Sequence, residues 1–418
     1  MCGPSDTHII PARDESGPAD DFPWHIGVCD AHCHPTDTMS SIASIPNMRT
    51  RVLTVMATRS QDQDLVASVG KQHGIKDRKA LTVIPQTQQQ DKIIPAFGWH
   101  PWFSYQLYDD TPGAGAESTY DPSGPKDEQK ARHYSTVLSP APDEKFIASL
   151  PDPLSLNTFI ASTRQRVLSA GPTTTAAAVL IGEIGLDKAF RLPWPWNDAD
   201  HSGQRDENLT PGGREGRTLS PHHVKMAHQI AVLKAQLRLA GELGVAVSVH
   251  GVQAHGVLFE ALAALWKGHE KEVVSRRKQK MVAEGAEDFS ESDEEEEEGS
   301  TVKQYQPKPF PPRVCLHSFS GSPQMVSQYL NPAIPVKVFF SFSTVINLST
   351  AGGESKFPDV IKTVPYDRLL VESDLHTAGE DMDRVLEDIS RKVCEIKEWP
   401  LNEGVERLRK NYEQFIFG

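Results

Sequence analysis

Eight short apolar runs, spaced along most of the chain, limit the possible folds more than any other feature. They read GVCDAHCHPTD (Gly27 to Asp37), RVLTVMAT (Arg51 to Thr58), KIIPAFGWHP (Lys92 to Pro101) and AVLIGEIGLD (Ala178 to Asp187). The remaining four are GVAVSVH (Gly244 to His250), RVCLHSFSG (Arg313 to Gly321), KVFFSFS (Lys337 to Ser343) and DRLLVESD (Asp367 to Asp374). Most are apolar through their length rather than alternating, as strands buried on both faces should be. Helical periodicity lies between or after them. Ile230, Leu233, Leu237 and Ala240 recur on one helical face, and Gly244 is a natural stop. Met382, Val385, Leu386, Ile389, Val393 and Ile396 mark a second helix, and Val405, Leu408, Tyr412 and Phe415 a third. Strands alternating with helices imply a parallel sheet, and eight such units suggest an α/β (β/α)8 TIM barrel.

The ends of these runs carry the chemistry. In the first, Asp30, His32 and His34 fall two apart, so on a strand they share one face, with Ala31 and Cys33 on the other. Two neighbouring imidazoles suit a divalent metal, because each offers a neutral nitrogen lone pair. The later runs end in His100, Glu183, His250, His317 and Asp374. A barrel gathers all its C-terminal strand ends at one mouth. His32, His34, Glu183, His250, His317 and Asp374 would then surround one point. One metal takes about four such ligands. Six suggest two ions with a bridging carboxylate.

Composition sets the surroundings. The 418 residues fit a flexible arm over 1–24 and a single barrel domain over 25–418. Polar inserts are expected at about 106–153, 190–221 and 267–312, as loops or disorder. The acidic run Glu291 to Ser300 is expected to be disordered. The basic cluster Ser275 to Lys280 reads as a solvated helix end, with nuclear import as the alternative. A net charge of -13 is not the footprint of a protein that coats nucleic acid. No apolar stretch is long enough to span a bilayer, and the first residues lack the apolar core of a secretory signal. The five cysteines are scattered without paired spacing, so reduced thiols in the cytoplasm or nucleus are expected.

DAHCH, GWHP, GEIGLD, the strand ending at His250, LHSFSG and ESD together resemble the TatD-type metal-dependent DNases, barrels of the amidohydrolase superfamily. That family's motifs read D-x-H-x-H, G-x-H-P, G-E-I-G-L-D, H-x-R, H-x-F-S-G and E-T-D. The match runs in order from about Cys29 to the C-terminus. The long inserts resemble the fungal branch, whose members are described as partners of a subunit of the anaphase-promoting complex. Two motifs depart from the pattern. His250-Gly251-Val252 lacks the arginine of H-x-R, and Leu375-His376 follows Asp374 where the family has x-P.

The resemblance implies phosphodiester hydrolysis at DNA ends, of the 3'-5' exonuclease type, with two divalent ions (Zn, Mn or Mg). His32, His34 and Asp374 would hold one ion, and His250 and His317 the other, with Glu183 bridging. Asp374 would act as general base, and His100 would contact phosphate or protonate the leaving group. Two rivals stand beside this reading. One is an amidohydrolase acting on C–N bonds, disfavoured because Glu183 stands where many such enzymes carry a modified lysine. The other is a weakly active barrel kept as a protein-interaction scaffold.

Overall fold

The computed structural model describes residues 22–75, 91–111, 118–170, 178–196, 205–273, 305–349 and 351–418. Most of the N-terminal arm, the basic cluster and the acidic run lie outside the described residues. The eight apolar runs form the eight strands of one sheet. These are β1 (Cys29–Cys33), β2 (Val52–Met56), β3 (Ile93–Phe97), β4 (Leu180–Asp187), β5 (Val247–Val252), β6 (Arg313–Leu316), β7 (Lys337–Phe342) and β8 (Leu369–Val371). They pair in chain order and every pair is parallel. The last strand returns to the first. Asp374 N donates to His32 O at 3.0 Å, and His34 N to Leu375 O at 2.8 Å. The fold is therefore a (β/α)8 barrel.

Its outer layer includes α1 (Ser60–His73), α2 (Leu156–Ser169), α3 (Met226–Leu243), α4 (His255–Trp266), α5 (Pro323–Tyr329), α6 (Ala351–Thr363) and α7 (Glu380–Lys397). The expected stop of α3 is realised: Gly244 caps it in the left-handed region. A cluster drawn from every strand or its leading residue fills the barrel, including Ala31, Val52, Ala96, Leu180, Cys315, Phe339 and Leu370. The C-terminal helix α8 (Leu401–Phe417) adds Tyr412, Phe415 and Ile416 to it. It closes the end where the strands begin, since Arg313, the first residue of β6, donates to Phe415 O at 2.7 Å. The opposite end is left for polar side chains.

Two expectations need correction. Residues 106–153 are not simply loop or disorder. Helices Lys126–Val137 and Glu144–Ser149 stand there, with a small core of Tyr105, Tyr134, Val137, Leu138, Phe146, Ile147, Leu192 and Val224. The polar composition hid a few apolar residues that suffice once Leu192 and Val224 join them from elsewhere. The described parts of the 190–221 stretch are pinned as well. Leu192 N donates to His222 O and Ser220 N to Leu192 O, both at 2.8 Å. Thr210 N donates to Asp37 O at 2.8 Å, and Arg59 reaches Thr210 O and Pro211 O at 3.1 Å each. The second correction concerns β1. Its register against β2 slips between Asp30 and Cys33, so the simple alternation fails. Ala31 joins the barrel interior while Cys33 joins the outer core. No helix among the described residues is long and apolar enough to cross a membrane.

Candidate metal centre

Local sequence explains how the strand ends converge. GEIGLD needs its second glycine. Gly185 has φ +152°, and a Cβ there would sit 2.0 Å from His250 O. Only glycine lets β5 come close enough to bring His250 beside Glu183. Ser318 and Asp374, just beyond β6 and β8, take φ values of 40° and 56°. Non-glycine residues held there carry strain, which gathers where side chains must be aimed.

Glu183 is the hub. Its Oε2 lies 3.5 Å from Nε2 of both His32 and His34. Its Oε1 lies 2.6 Å from His317 Nε2, 2.8 Å from His250 Nδ1 and 3.1 Å from His100 Nε2. Asp374 Oδ1 is 3.5 Å from His34 Nε2 and 3.8 Å from His32 Nε2. The two nitrogens of His32 and His34 are 3.1 Å apart, as are His250 Nδ1 and His317 Nε2. All six sequence-derived ligands are thus brought together, with His100 beside them.

The donor set fits a divalent cation. Zinc–nitrogen bonds of about 2.0–2.1 Å put tetrahedral ligands roughly 3.3 Å apart, near the spacing of each histidine pair. Without a cation, burying so many lone pairs and carboxylate charges costs several kcal/mol per unpaired group. Three clusters could hold an ion: His32, His317 and Asp374; His32, His34 and Glu183; His100, Glu183 and His250. His100 is better read as a donor than as a ligand. Its Nδ1 accepts from Trp102 N at 3.2 Å, so the neutral ring carries its proton on Nε2, toward Glu183. Burial keeps that ring neutral, its pKa pushed down to about 4.

The surroundings set the protons on the other rings. Ser248 Oγ lies 2.8 Å from His32 Nδ1; a proton there leaves the Nε2 lone pair facing inward. Asp187 Oδ2 lies 3.1 Å from His250 Nε2 and does the same for Nδ1. Asp187 also accepts from Trp102 Nε1 at 2.6 Å. Burial raises the Asp187 pKa, but bonds from His250 and Trp102 outweigh that and hold it near 2. Glu372 Oε1 approaches His317 Nδ1 at 3.6 Å, too far for a hydrogen bond. Ser318 N donates to the same oxygen at 2.6 Å. Burial opposes charge on His34 and Asp374, yet their mutual attraction across 3.5 Å, with Glu183 and the other imidazoles, wins. The His34 pKa rises to about 9, and that of Asp374 falls well below the carboxylate range.

Asp30 does not join this group through its carboxylate. Burial raises its pKa to about 7, and it accepts at 3.0 Å from His32 N on its own strand and from Ser373 N across the seam of the barrel. Cys33 stays in the core, its thiol donating to Thr54 O at 3.4 Å. Sequence reasoning missed Asp187, Glu372 and Ser248 as partners of the histidines. Each lay inside a run already singled out. Asp187 ends GEIGLD, Glu372 opens ESD, and Ser248 stands two before His250 on the same strand face.

The family described as TatD related DNase matches residues 29–417, nearly the whole barrel. The chain belongs to that family. Cut9-interacting protein scn1 of Schizosaccharomyces pombe is 36% identical over 389 residues, 93% of this chain and 98% of that protein. An uncharacterized deoxyribonuclease of Saccharomyces cerevisiae is 24% identical, over 79% of this chain and 84% of its own length. YJJV, a TatD homologue from Escherichia coli, aligns over 93% of this chain and 97% of its own at 17% identity, with a TM-score of 0.46. The two departures of the motifs are now placed. Val252 ends β5 beside β4, where its carbonyl accepts from Lys188 N at 3.1 Å. His376 pairs with Asp37 Oδ2 at 2.8 Å and stacks on His34 at 5.3 Å.

Proposed function

We propose that the chain is a divalent-metal-dependent phosphodiesterase, a TatD-like deoxyribonuclease that trims DNA ends in the 3'-5' sense with two ions at its mouth. The observation that carries this is the division of Glu183, one oxygen toward His32 and His34, the other toward His250 and His317. A carboxylate split between two imidazole pairs suits a bridging ligand. When bound, two divalent ions neutralise a phosphodiester and lower the pKa of water.

The chain's own groups then have separate tasks. Asp374, ionised and facing His34 Nε2 across 3.5 Å, is the base that takes a proton from the attacking water. His100, neutral and protonated on Nε2, supplies a hydrogen bond to the phosphate or the leaving oxygen. Asp187 and Ser248 hold His250 and His32 in the tautomers that turn a lone pair inward.

The test is a nuclease assay on protein stripped of metal and reloaded with zinc, manganese or magnesium, using single- and double-stranded DNA. We expect metal-dependent release of nucleotides from strand ends. Failure to hydrolyse any phosphodiester with any of these ions would reject the reading. One observation favours a second: the 36% identical protein of Schizosaccharomyces pombe is named for its interaction with Cut9. Under that reading the barrel serves mainly as a protein partner within a cell-cycle complex.

A further inference from the structure

The stretch that leaves the centre after β4 reads KAFRLPWPW, from Lys188 to Trp196. It holds two cations and three aromatics and no acid, in a chain of net charge -13. It begins one residue after Asp187, the carboxylate that fixes His250. Phe190 stacks on Trp102 at 4.7 Å with 10° between the planes. Trp102 stands edge-on to His100 at 4.7 Å. Farther along, Trp194 and Trp196 are each 37% exposed. The Arg217 guanidinium lies 5.5 Å from the Trp196 ring. Lys188 and Arg191 are exposed and form no ion pair with any described residue.

Exposed tryptophans are costly in water unless something covers them. Aromatic faces interleaved with cations are what a single strand of nucleic acid uses, bases stacking on rings and phosphates on cations. We propose that Lys188–Trp196, with Trp102 and Arg217, is a track that binds single-stranded nucleic acid and leads its end to the metal centre. Lys188 also belongs to the residues beside Val252, its backbone N donating to Val252 O at 3.1 Å, at the position where the family's arginine is missing. The proposal rests on the nuclease reading and says where the substrate lies. Trp196 lies nine positions beyond Asp187, so the track reaches at most about 30 Å of extended chain.

The test uses metal-loaded full-length protein and phosphorothioate oligothymidylates, which resist hydrolysis. Binding is measured by fluorescence anisotropy for strands of about 2 and about 12 nucleotides, spanning the range of single-strand sites. The longer strand should bind more tightly. Trp194→Ala and Trp196→Ala should each weaken it about tenfold and flatten the dependence on length. Trp196 is the cleaner site, because Trp194 also packs on Phe146 at 5.4 Å. Melting temperature and metal content of each variant show that the fold is kept. Replacing Lys188 and Arg191 with alanine should lower the slope of log affinity against log salt by about 0.7 for each phosphate no longer neutralised. Equal affinity for long and short strands, or tryptophan variants that bind like the parent, would overturn the track. Hydrolysis of a short diester without length-dependent binding would overturn the track and leave the nuclease reading in place. Tight binding of the long phosphorothioate strand, with no hydrolysis of the unmodified oligothymidylate by the same metal-loaded protein, would support the track and reject the nuclease.

Discussion

The two halves of the centre share Glu183 but are backed differently. On one side, His250 has a buried carboxylate behind it, Asp187 at 3.1 Å, and His317 has Glu372 at 3.6 Å. On the other, His32 is backed by the hydroxyl of Ser248, and His34 faces Asp374 and stacks on His376. A carboxylate behind an imidazole makes it more basic and fixes its ring, whereas a hydroxyl fixes the tautomer without adding charge. The His250 side is therefore held from behind, and the His32 side is completed from the front by Asp374. Under the proposed mechanism, the difference separates residues that hold from the one assigned to react. The carboxylates behind the rings stay buried, while Asp374 lies nearer the mouth, 13% exposed against 0% for Glu372.

The most severe way to break the comparison is to remove what the halves share. Glu183→Ala should abolish hydrolysis, by a thousandfold or more as an order-of-magnitude expectation for a group that organises the whole site. Cys33→Ala, in the outer core, should leave activity nearly intact. Loss of metal from the cysteine variant with its fold retained would show that the face assigned to Cys33 is wrong.

A smaller effect separates the halves. Asp187→Asn should weaken metal binding by about 10- to 100-fold, as loss of such backing groups usually does. Ser248→Ala should weaken it less, since no charge is removed. Metal competition with a chelator reads both. Equal weakening by the two variants would erase the distinction drawn between the sides.

Protonation gives the mildest effect, seen in metal-stripped protein. His34 has its pKa raised from 6.5 to about 9, burial opposing and Asp374 and Glu183 prevailing. The folded state binds that proton more tightly, so its contribution is full below about pH 6.5 and lost as pH rises through about 9. His100 runs the other way, lowered to about 4 by burial. Its contribution is present above about pH 6.5 and lost as pH falls toward 4. Melting temperatures from pH 4 to 9.5 should therefore fall at both ends. Metal loading should flatten the alkaline side, because it takes over the pairing of His34. An alkaline fall unchanged by metal would place its origin elsewhere.

Much of the barrel was legible because its strands are buried on both faces, which leaves eight unbroken apolar runs in the sequence. The candidate ligands were legible as a group because each lies in, or just after, one of those runs. Three things were not. The slip in β1 depends on pairing with β2, which the period of one strand cannot show. The small core around Tyr134 and Phe146 is completed by Leu192 and Val224, more than forty residues away in sequence. Asp187, Glu372 and Ser248 act through contacts across strands, so the identity of a residue on its own strand does not reveal its partner.

The proposed two-ion centre bridged by Glu183 can be counted by calorimetric metal titration of the stripped protein. The parent should take up two equivalents per chain, and Glu183→Ala should disturb both binding events together. A stoichiometry that never exceeds one, or a Glu183 variant that still takes up two ions with unchanged affinity, would contradict it.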